Sequence, residues 1–182
     1  MFYCFLAKGF EEIEAITTVD MLLRAGVDVV TVGVDADSSN LVEGAHGISV
    51  KADVLSENIS LENMEGIILP GGMPGTINLE NSDDVMNALD YCVNNGLYIF
   101  AICAAPQILG HKGILNGKNA TCYPGFEAEL EGAILSDAQA VCDGKVITSK
   151  GPGATIDFAS AIITELKGTE VAGKLKESMQ CV

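Results

Sequence analysis

The sequence predicts an α/β fold with a mainly parallel central sheet. Residues 2–7 are apolar, an amphipathic stretch follows to about Ala25, and 27–34 is a second apolar run, so the chain opens as β-α-β. Two more apolar runs, 66–69 and 98–102, each end in small residues that precede a helical pattern. Strands connected through helices pair in parallel with right-handed crossovers, so these four strands are expected in one sheet.

Apolar periodicity and turn residues place the remaining elements. Helices are expected at about 10–25, 82–95, 104–111, 155–166 and 170–176. Further strands are expected at 48–54, around 120–122, and in a hairpin of 138–142 with 146–149. Residues 35–47 are read as a polar loop and 56–65 as a loop containing a short helix.

Composition narrows the class of protein. The chain has 182 residues, of which 48% are apolar, and a mean hydropathy of +0.32, which is typical of one folded domain, expected to span 1–182. No apolar run approaches the roughly 20 residues of a membrane span, and the first residues lack the basic region of a signal peptide, so a cytoplasmic location is expected. A net charge of −15 argues against nucleic acid or an anionic membrane as a partner.

The six cysteines form no metal-binding pattern. No C-x-x-C occurs, and His46 and His111 are the only histidines, so a zinc site is not expected and no cofactor is predicted. Without a secretion signal the even number of cysteines is weak support for disulfides.

One cysteine stands at the end of a predicted buried strand. Cys103 follows the run 98–102, is flanked by Ala101 and Ala105, and precedes Pro106, which suits the first turn of a helix. Small neighbours are what a nucleophile on a sharp strand-to-helix turn requires. Donors at the helix N-terminus favour a thiolate there. The alternative is that Cys103 is one more small buried apolar residue, as most free cysteines are.

A second turn carries paired glycines. Pro70-Gly71-Gly72 ends the strand 66–69, where bare backbone N–H groups can approach a ligand or anion. A tight turn with no further role is the alternative interpretation.

Four ordered motifs identify a family resemblance. They are Ala7-Lys8-Gly9-x-Glu11-Glu12-x-Glu14, Leu69-Pro70-Gly71-Gly72, Ala101-Ile102-Cys103-Ala104-Ala105-Pro106 and Ser149-Lys150-Gly151-Pro152-Gly153. The chain thereby resembles the ThiJ/PfpI (DJ-1) superfamily, in the branch of the parkinsonism-associated protein and its bacterial relatives. The resemblance implies a flavodoxin-like three-layer sandwich with a cysteine nucleophile elbow, and commonly a homodimer with the first helix near the interface.

The resemblance also implies site roles. Cys103 would be the reactive, oxidation-prone cysteine, Glu14 its partner carboxylic acid, and the Gly72 and Ala104 N–H groups an oxyanion-like pocket. Residues implied only at the pocket or dimer edge are Gly71, Arg24, His46, Tyr123 and Pro152. Without the motif, Glu14 reads like Glu11 and Glu12, as an acid that complements the helix dipole. Beside a thiolate, its pKa is expected to rise until it can donate a proton.

Two departures from the wider superfamily bear on the chemistry. The protease-like branch places a histidine directly after the cysteine, where this chain has Ala104, and some relatives carry one near Tyr123. The H-x-E of the amidotransferase relatives is absent as well, so a Cys-His triad and a peptidase are not supported.

Two functions therefore stay open. The first is a cofactor-independent glyoxalase or deglycase acting on small dicarbonyls or glycated protein. In it Cys103 adds to the aldehyde, Glu14 moves protons, and the N–H groups stabilise the oxyanion. The second is a redox-sensing or chaperone-like stress protein in which Cys103 is oxidised to sulfinate.

Overall fold

The computed structural model describes residues 1–181, which form eleven strands and six α-helices. The strands are β1 Phe2–Leu6, β2 Val29–Gly33, β3 Leu41–Glu43, β4 Ser49–Lys51, β5 Val54–Leu55, β6 Gly66–Leu69, β7 Tyr98–Ile102, β8 Asn119–Ala120, β9 Ile134–Leu135, β10 Ala140–Asp143 and β11 Val146–Ser149. The helices are α1 Glu12–Arg24, α2 Gly75–Asn81, α3 Asp83–Asn95, α4 Pro106–His111, α5 Thr155–Lys167 and α6 Thr169–Ser178.

The central sheet has seven strands in the order β10-β11-β7-β6-β1-β2-β5. All pairs in it are parallel except β10 with β11, which form the predicted hairpin. From β1 the chain builds outward through β2 to β5 and then returns to the other side of β1 at β6. Such a reversal leaves a crevice at the carboxyl ends of the two central strands, where ligands bind in open α/β sheets.

Two apolar layers cover the sheet, one on each face. Alternate residues of β1 point to opposite sides: Tyr3 and Phe5 join the layer beneath α3 and α4, while Cys4 and Leu6 join the layer beneath α1, α5 and α6. The predicted α/β sandwich with a mostly parallel sheet is therefore confirmed. Within residues 1–181 no helix has the length and apolar character needed to cross a bilayer.

Helix α1 was predicted from the helical spacing of Ile13, Ile16, Val19 and Leu23, yet it buries mainly its other face. Ala15, Met21 and Leu22 pack into the core, whereas Ile13 and Ile16 are 54% and 42% exposed. Leu23 is exposed as well. The helix therefore presents apolar residues on both sides, and the outer set is uncovered in the isolated chain.

Other differences lie in short elements. Helix α2 was not predicted, because the prolines and glycines of 70–75 indicate only a turn, yet Thr76 and Leu79 of this helix are fully buried. The loop predicted at 35–47 contains β3, which pairs with β4 as an antiparallel hairpin. The peripheral strand expected at 48–54 is divided at Asp53, whose carboxylate accepts the backbone N–H and the hydroxyl of Thr31.

Candidate active site

Cys103 occupies a strained turn between β7 and α4. Its φ is +66°, a left-handed conformation that is unfavourable for a residue with a side chain. Two backbone hydrogen bonds hold it: the Cys103 N–H donates to the Ser149 carbonyl at 2.9 Å, and the Tyr123 N–H donates to the Cys103 carbonyl at 2.8 Å. Ala101 and Ala105 on either side are fully buried, so larger residues would not fit. This is the sharp turn that the small neighbours predict.

Glu14 approaches this turn from α1. Its side chain is 1% exposed, and Oε2 accepts the backbone N–H of Gly71 at 2.8 Å. Its other oxygen, Oε1, has no hydrogen-bond partner. The Glu11 N–H donates to the Gly71 carbonyl at 2.9 Å, which fixes the start of α1 against the turn after β6. The carboxyl group therefore keeps one free oxygen in a nearly dry position.

Gly71 separates Glu14 from Cys103. A Cβ at this position would lie 2.6 Å from Cys103 Cβ and 2.8 Å from Glu14 Oε2. Gly72, with φ +93°, is equally confined, since a Cβ there would lie 2.4 Å from the Glu11 nitrogen. The paired glycines thus let α1 and the cysteine turn approach each other more closely than any other residues would allow.

Charge and burial change the pKa values of Glu14 and Cys103. Burial raises the pKa of Glu14 to about 7, despite its hydrogen bonds to the Gly71 N–H and to Cys103. Burial, together with the negative charge of Glu14, also raises the pKa of the Cys103 thiol well above its ordinary value, while the Ala104 and Gly72 N–H groups act to lower it. The low thiol pKa expected from the helix N-terminus is therefore wrong, because desolvation and repulsion by Glu14 outweigh the backbone donors.

The two groups share a proton as a consequence. Because burial raises its pKa, Glu14 takes up a proton more readily than an ordinary carboxyl group, and its repulsion of the sulfur disappears in the protonated state. A neutral Glu14 and the Ala104 and Gly72 N–H groups then favour the thiolate, while burial of the sulfur still opposes it. The expected rise in the pKa of Glu14 is confirmed, and Glu14 differs in this respect from its neighbour Glu12.

A cavity of about 290 Å³ opens beside the cysteine. Tyr123, Gly151 and Pro152 line it, and a Cβ at Gly151 would lie 3.8 Å from Cys103 Sγ and 2.9 Å from the Tyr123 ring. The structure thus brings Cys103, Glu14, Gly71, Gly72, Ala104, Tyr123 and Pro152 to one place. Cys103 is not among the lining residues, so this space for a small molecule meets the sulfur through Gly151.

Two basic residues expected at the pocket or dimer edge, Arg24 and His46, are not part of this cavity. His46 is exposed, and its Nδ1 lies 2.8 Å from Glu12 Oε2, a hydrogen bond that raises the pKa of His46. Burial favours a higher pKa for Glu12, but the bonds from His46 hold it below the ordinary value. Arg24 pairs with Asp20 on the outside of α1 at 2.6 Å. Neither residue lines the cavity beside Cys103.

One cluster of possible metal ligands lies among residues 1–181. Potential ligand atoms of Glu11, Glu12 and His46 lie within 4.8 Å of one another, but hydrogen bonds from His46 and Ile48 already engage both oxygens of Glu12. His111 lies between Glu80 and Glu129, away from the sulfur. No histidine among these residues pairs with Cys103 as a catalytic base would.

Two contributors were missed from the sequence. The Ser149 carbonyl holds the Cys103 N–H, and Gly151 borders the sulfur, yet the motif 149–153 was interpreted only as part of the family resemblance. The signal was present: a buried strand ending in Lys-Gly-Pro-Gly is the same pattern that marked Pro70-Gly71-Gly72.

Most of the chain matches a known protein family. The DJ-1/PfpI family profile matches residues 2–165. The Parkinson disease protein 7 homolog of Danio rerio is 36% identical over 176 residues, with 94% of this chain and 92% of that protein covered. The glutathione-independent glyoxalase DJR-1.2 of Caenorhabditis elegans is 35% identical over 167 residues, which covers 91% of this chain and 87% of the relative. Two curated Arabidopsis thaliana relatives are longer, and the chain spans only 44% and 38% of their lengths.

The structural comparison agrees with the sequence. The oxidized DJ-1 of Toxoplasma gondii superposes with a TM-score of 0.92 at 32% identity, covering 98% of this chain and 97% of that one. The chain therefore belongs to the DJ-1/PfpI family.

Proposed function

We propose that this chain is a cofactor-independent enzyme that rearranges reactive dicarbonyls through Cys103 and Glu14. The observation that carries the proposal is the buried Glu14 carboxyl, held by the Gly71 N–H and facing a cysteine on a strained turn. The similarity to a glutathione-independent glyoxalase of C. elegans supports it.

The chemistry begins with one proton on the Cys103–Glu14 pair. Sγ attacks the aldehyde carbon of a 2-oxoaldehyde, and Glu14 gives its proton to the carbonyl oxygen, which forms a hemithioacetal. The Gly72 and Ala104 N–H groups stabilise negative charge as it develops. The Glu14 carboxylate then takes the C–H proton from the first carbon and delivers it to the second, while the hydroxyl proton of the hemithioacetal passes from the first oxygen to the second.

Hydrolysis completes the cycle. The proton transfer oxidises the first carbon and reduces the second, leaving a 2-hydroxyacyl thioester on Cys103. Water cleaves this bond, releases a 2-hydroxy acid and restores the thiol, so no external oxidant or cofactor is needed. Removal of early glycation adducts from protein is the related activity that the same pair would support.

Methylglyoxal turnover tests the proposal. Freshly reduced wild type is expected to form lactate, and Cys103→Ala is expected to form none. Cys142→Ala is the matched control, because Cys142 is an exposed cysteine on β10 away from Glu14. Lactate formation by Cys103→Ala at the wild-type rate would refute the nucleophile.

A redox role is the second candidate. Cys103 is partly accessible, and the T. gondii neighbour was solved in an oxidized form. In this alternative peroxide converts Cys103 to the sulfinate, which the neighbouring N–H groups and protonated Glu14 would hold, and partner binding changes. Absence of methylglyoxal turnover together with stoichiometric sulfinate at Cys103 would favour this role.

We also propose that residues 1–182 act as one domain that pairs with a second copy. The exposed apolar residues Ile13, Ile16 and Leu23 lie along α1, the helix that carries Glu14. Covering them in a homodimer would remove apolar surface from water and brace the catalytic helix.

A further inference from the structure

We propose that the pocket beside Cys103 selects carbonyl substrates that carry a carboxylate, and that the Lys150 ammonium binds this group. The inference rests on the proposed function and names its substrate class. Lys150 is thereby a specificity-determining residue, distinct from the pair that performs the chemistry.

The lining of the cavity supplies the first argument. Its residues are Tyr123, Pro124, Gln139, Lys150, Gly151, Pro152, Gly153 and Ala154. Lys150 is the one charged residue in this set, so nothing in the lining offsets its positive charge. A chain of net charge −15 repels anions at long range, and a lysine in the cavity reverses that preference locally.

Lys150 has no carboxylate partner among the described residues. Arg24, Lys112 and Lys118 each lie within 4.0 Å of an acidic side chain, whereas no such pair involves Lys150. Lys150 is half-buried, and an ammonium in that position gains from an anionic ligand that a solvated surface lysine would not hold.

Backbone hydrogen bonds hold the main chain around Lys150 close to the cysteine turn. The Lys150 N–H donates to the Gln139 carbonyl at 3.1 Å. The residue before it, Ser149, accepts the Cys103 N–H, and the residue after it, Gly151, borders Cys103 Sγ. The segment 149–151 therefore carries Lys150 and also contacts the turn that holds Cys103.

A neighbouring cavity indicates on which side of Lys150 an anion would bind. Lys150 also lines a second cavity of about 310 Å³, but Glu127 and Asp137 line that one too. Their carboxylates would repel an incoming carboxylate, whereas the cavity beside Cys103 contains none. The cavity that Lys150 shares with Gly151, a residue that borders Cys103 Sγ, is therefore the one that suits an anion.

The substrate class follows from the two groups that the substrate would contact. Cys103 must reach an aldehyde at one end of a short molecule while Lys150 holds a carboxylate at the other. A 2-oxoaldehyde with a distal carboxylate, such as 4,5-dioxopentanoate, has this form. It undergoes the same internal proton transfer and hydrolysis, and the product carries two carboxylates.

Paired substrates test the proposal. The values of kcat/KM for 4,5-dioxopentanoate and for methylglyoxal are measured on wild type, Lys150→Met and Lys150→Arg. Lys150→Met is expected to lower the value for 4,5-dioxopentanoate by about tenfold to a hundredfold, from the loss of a charge-assisted hydrogen bond, and to leave methylglyoxal within about twofold. Lys150→Arg should retain most of the difference. An equal effect on both substrates, or on neither, would overturn the assignment.

A second measurement does not depend on turnover. Cys103 is alkylated with anionic iodoacetate and with neutral iodoacetamide, and its modification is followed by peptide mass mapping. The ratio of the two rates is expected to fall about fivefold to tenfold in Lys150→Met but not in Lys51→Met, which removes an exposed lysine on β4. A fall in this ratio without methylglyoxal turnover would refute the proposed enzymatic activity but support the anion pocket. An unchanged ratio would reject the pocket.

Discussion

At the scale of single residues, the cysteine and the acid depend on each other. The Cys103 turn is strained and is held by carbonyl and N–H partners from two other segments, Ser149 and Tyr123. Glu14 reaches the sulfur only because Gly71 has no side chain. Neither residue has an ordinary pKa: burial raises the pKa of both, and the Glu14 charge raises that of Cys103 further, whereas the contact with Cys103 acts to lower that of Glu14. Their behaviour is therefore that of one titrating unit.

The pH dependence of the free energy of unfolding should reflect the raised pKa of Glu14. The folded value of about 7 lies above the ordinary 4.5, so the folded state keeps this proton longer than the unfolded state does. Stabilisation from the protonated acid is complete below about 4.5 and is lost as the pH rises toward 7. The free energy of unfolding of wild type, relative to Glu14→Gln, should fall by about 3 kcal/mol over this range in urea titrations.

An exposed acid provides the control for this titration. Glu57→Gln removes a solvated carboxylate from the turn after β5 and should keep the wild-type pH dependence. Parallel curves for wild type and Glu14→Gln would show that Glu14 titrates normally.

Filling the gap at Gly71 should separate the pair. In Gly71→Ala the new methyl group meets Cys103 Cβ at 2.6 Å and Glu14 Oε2 at 2.8 Å, so one of them must move. A displacement of this kind lowers turnover by about a hundredfold, and methylglyoxal kinetics measure it. The control is Gly173→Ala on α6, where nothing lies within 4 Å of the added methyl. Full activity in Gly71→Ala would mean that the contact is not needed.

At the scale of elements, α1 serves two surfaces. Its inner face delivers Glu14 to the turn after β6, and its outer face exposes Ile13, Ile16 and Leu23. Helical periodicity predicts that such a helix exists, but apolar residues on both sides do not reveal which face the sheet covers. That depends on α5, which packs against α1 from far along the chain.

A charge on the outer face should prevent pairing. Ile16→Glu places a carboxylate in the proposed interface, and burying it without a partner is unfavourable. Sedimentation velocity is expected to give a dimer for wild type and a monomer for Ile16→Glu. Ile134→Glu changes an equally exposed isoleucine on β9 and should remain a dimer. A wild-type monomer would contradict the proposed dimer. A dimeric Ile16→Glu would place its interface on another surface.

At the scale of the whole molecule, local patterns predicted much of the fold and part of the site. The parallel strands and the cysteine turn follow from apolar runs that end in small residues, and these were confirmed. Helix α2 was missed because Pro74 and the glycines around it mimic a simple turn. The pKa of Cys103 was misjudged because a helix N-terminus is local, whereas the burial and the Glu14 charge come from a distant segment. The charge of Lys150 in the cavity could likewise be recognised only after folding.

The account as a whole claims that Cys103 bonds to the substrate and that Glu14 moves its proton. Rapid acid quenching with methylglyoxal, followed by peptide mapping of Cys103 and lactate detection, tests both parts in wild type and Glu14→Gln. Wild type should release lactate, whereas Glu14→Gln should hold the methylglyoxal adduct on Cys103 and release almost none. Lactate from Glu14→Gln at the wild-type rate, or turnover without any adduct on Cys103, would contradict the account.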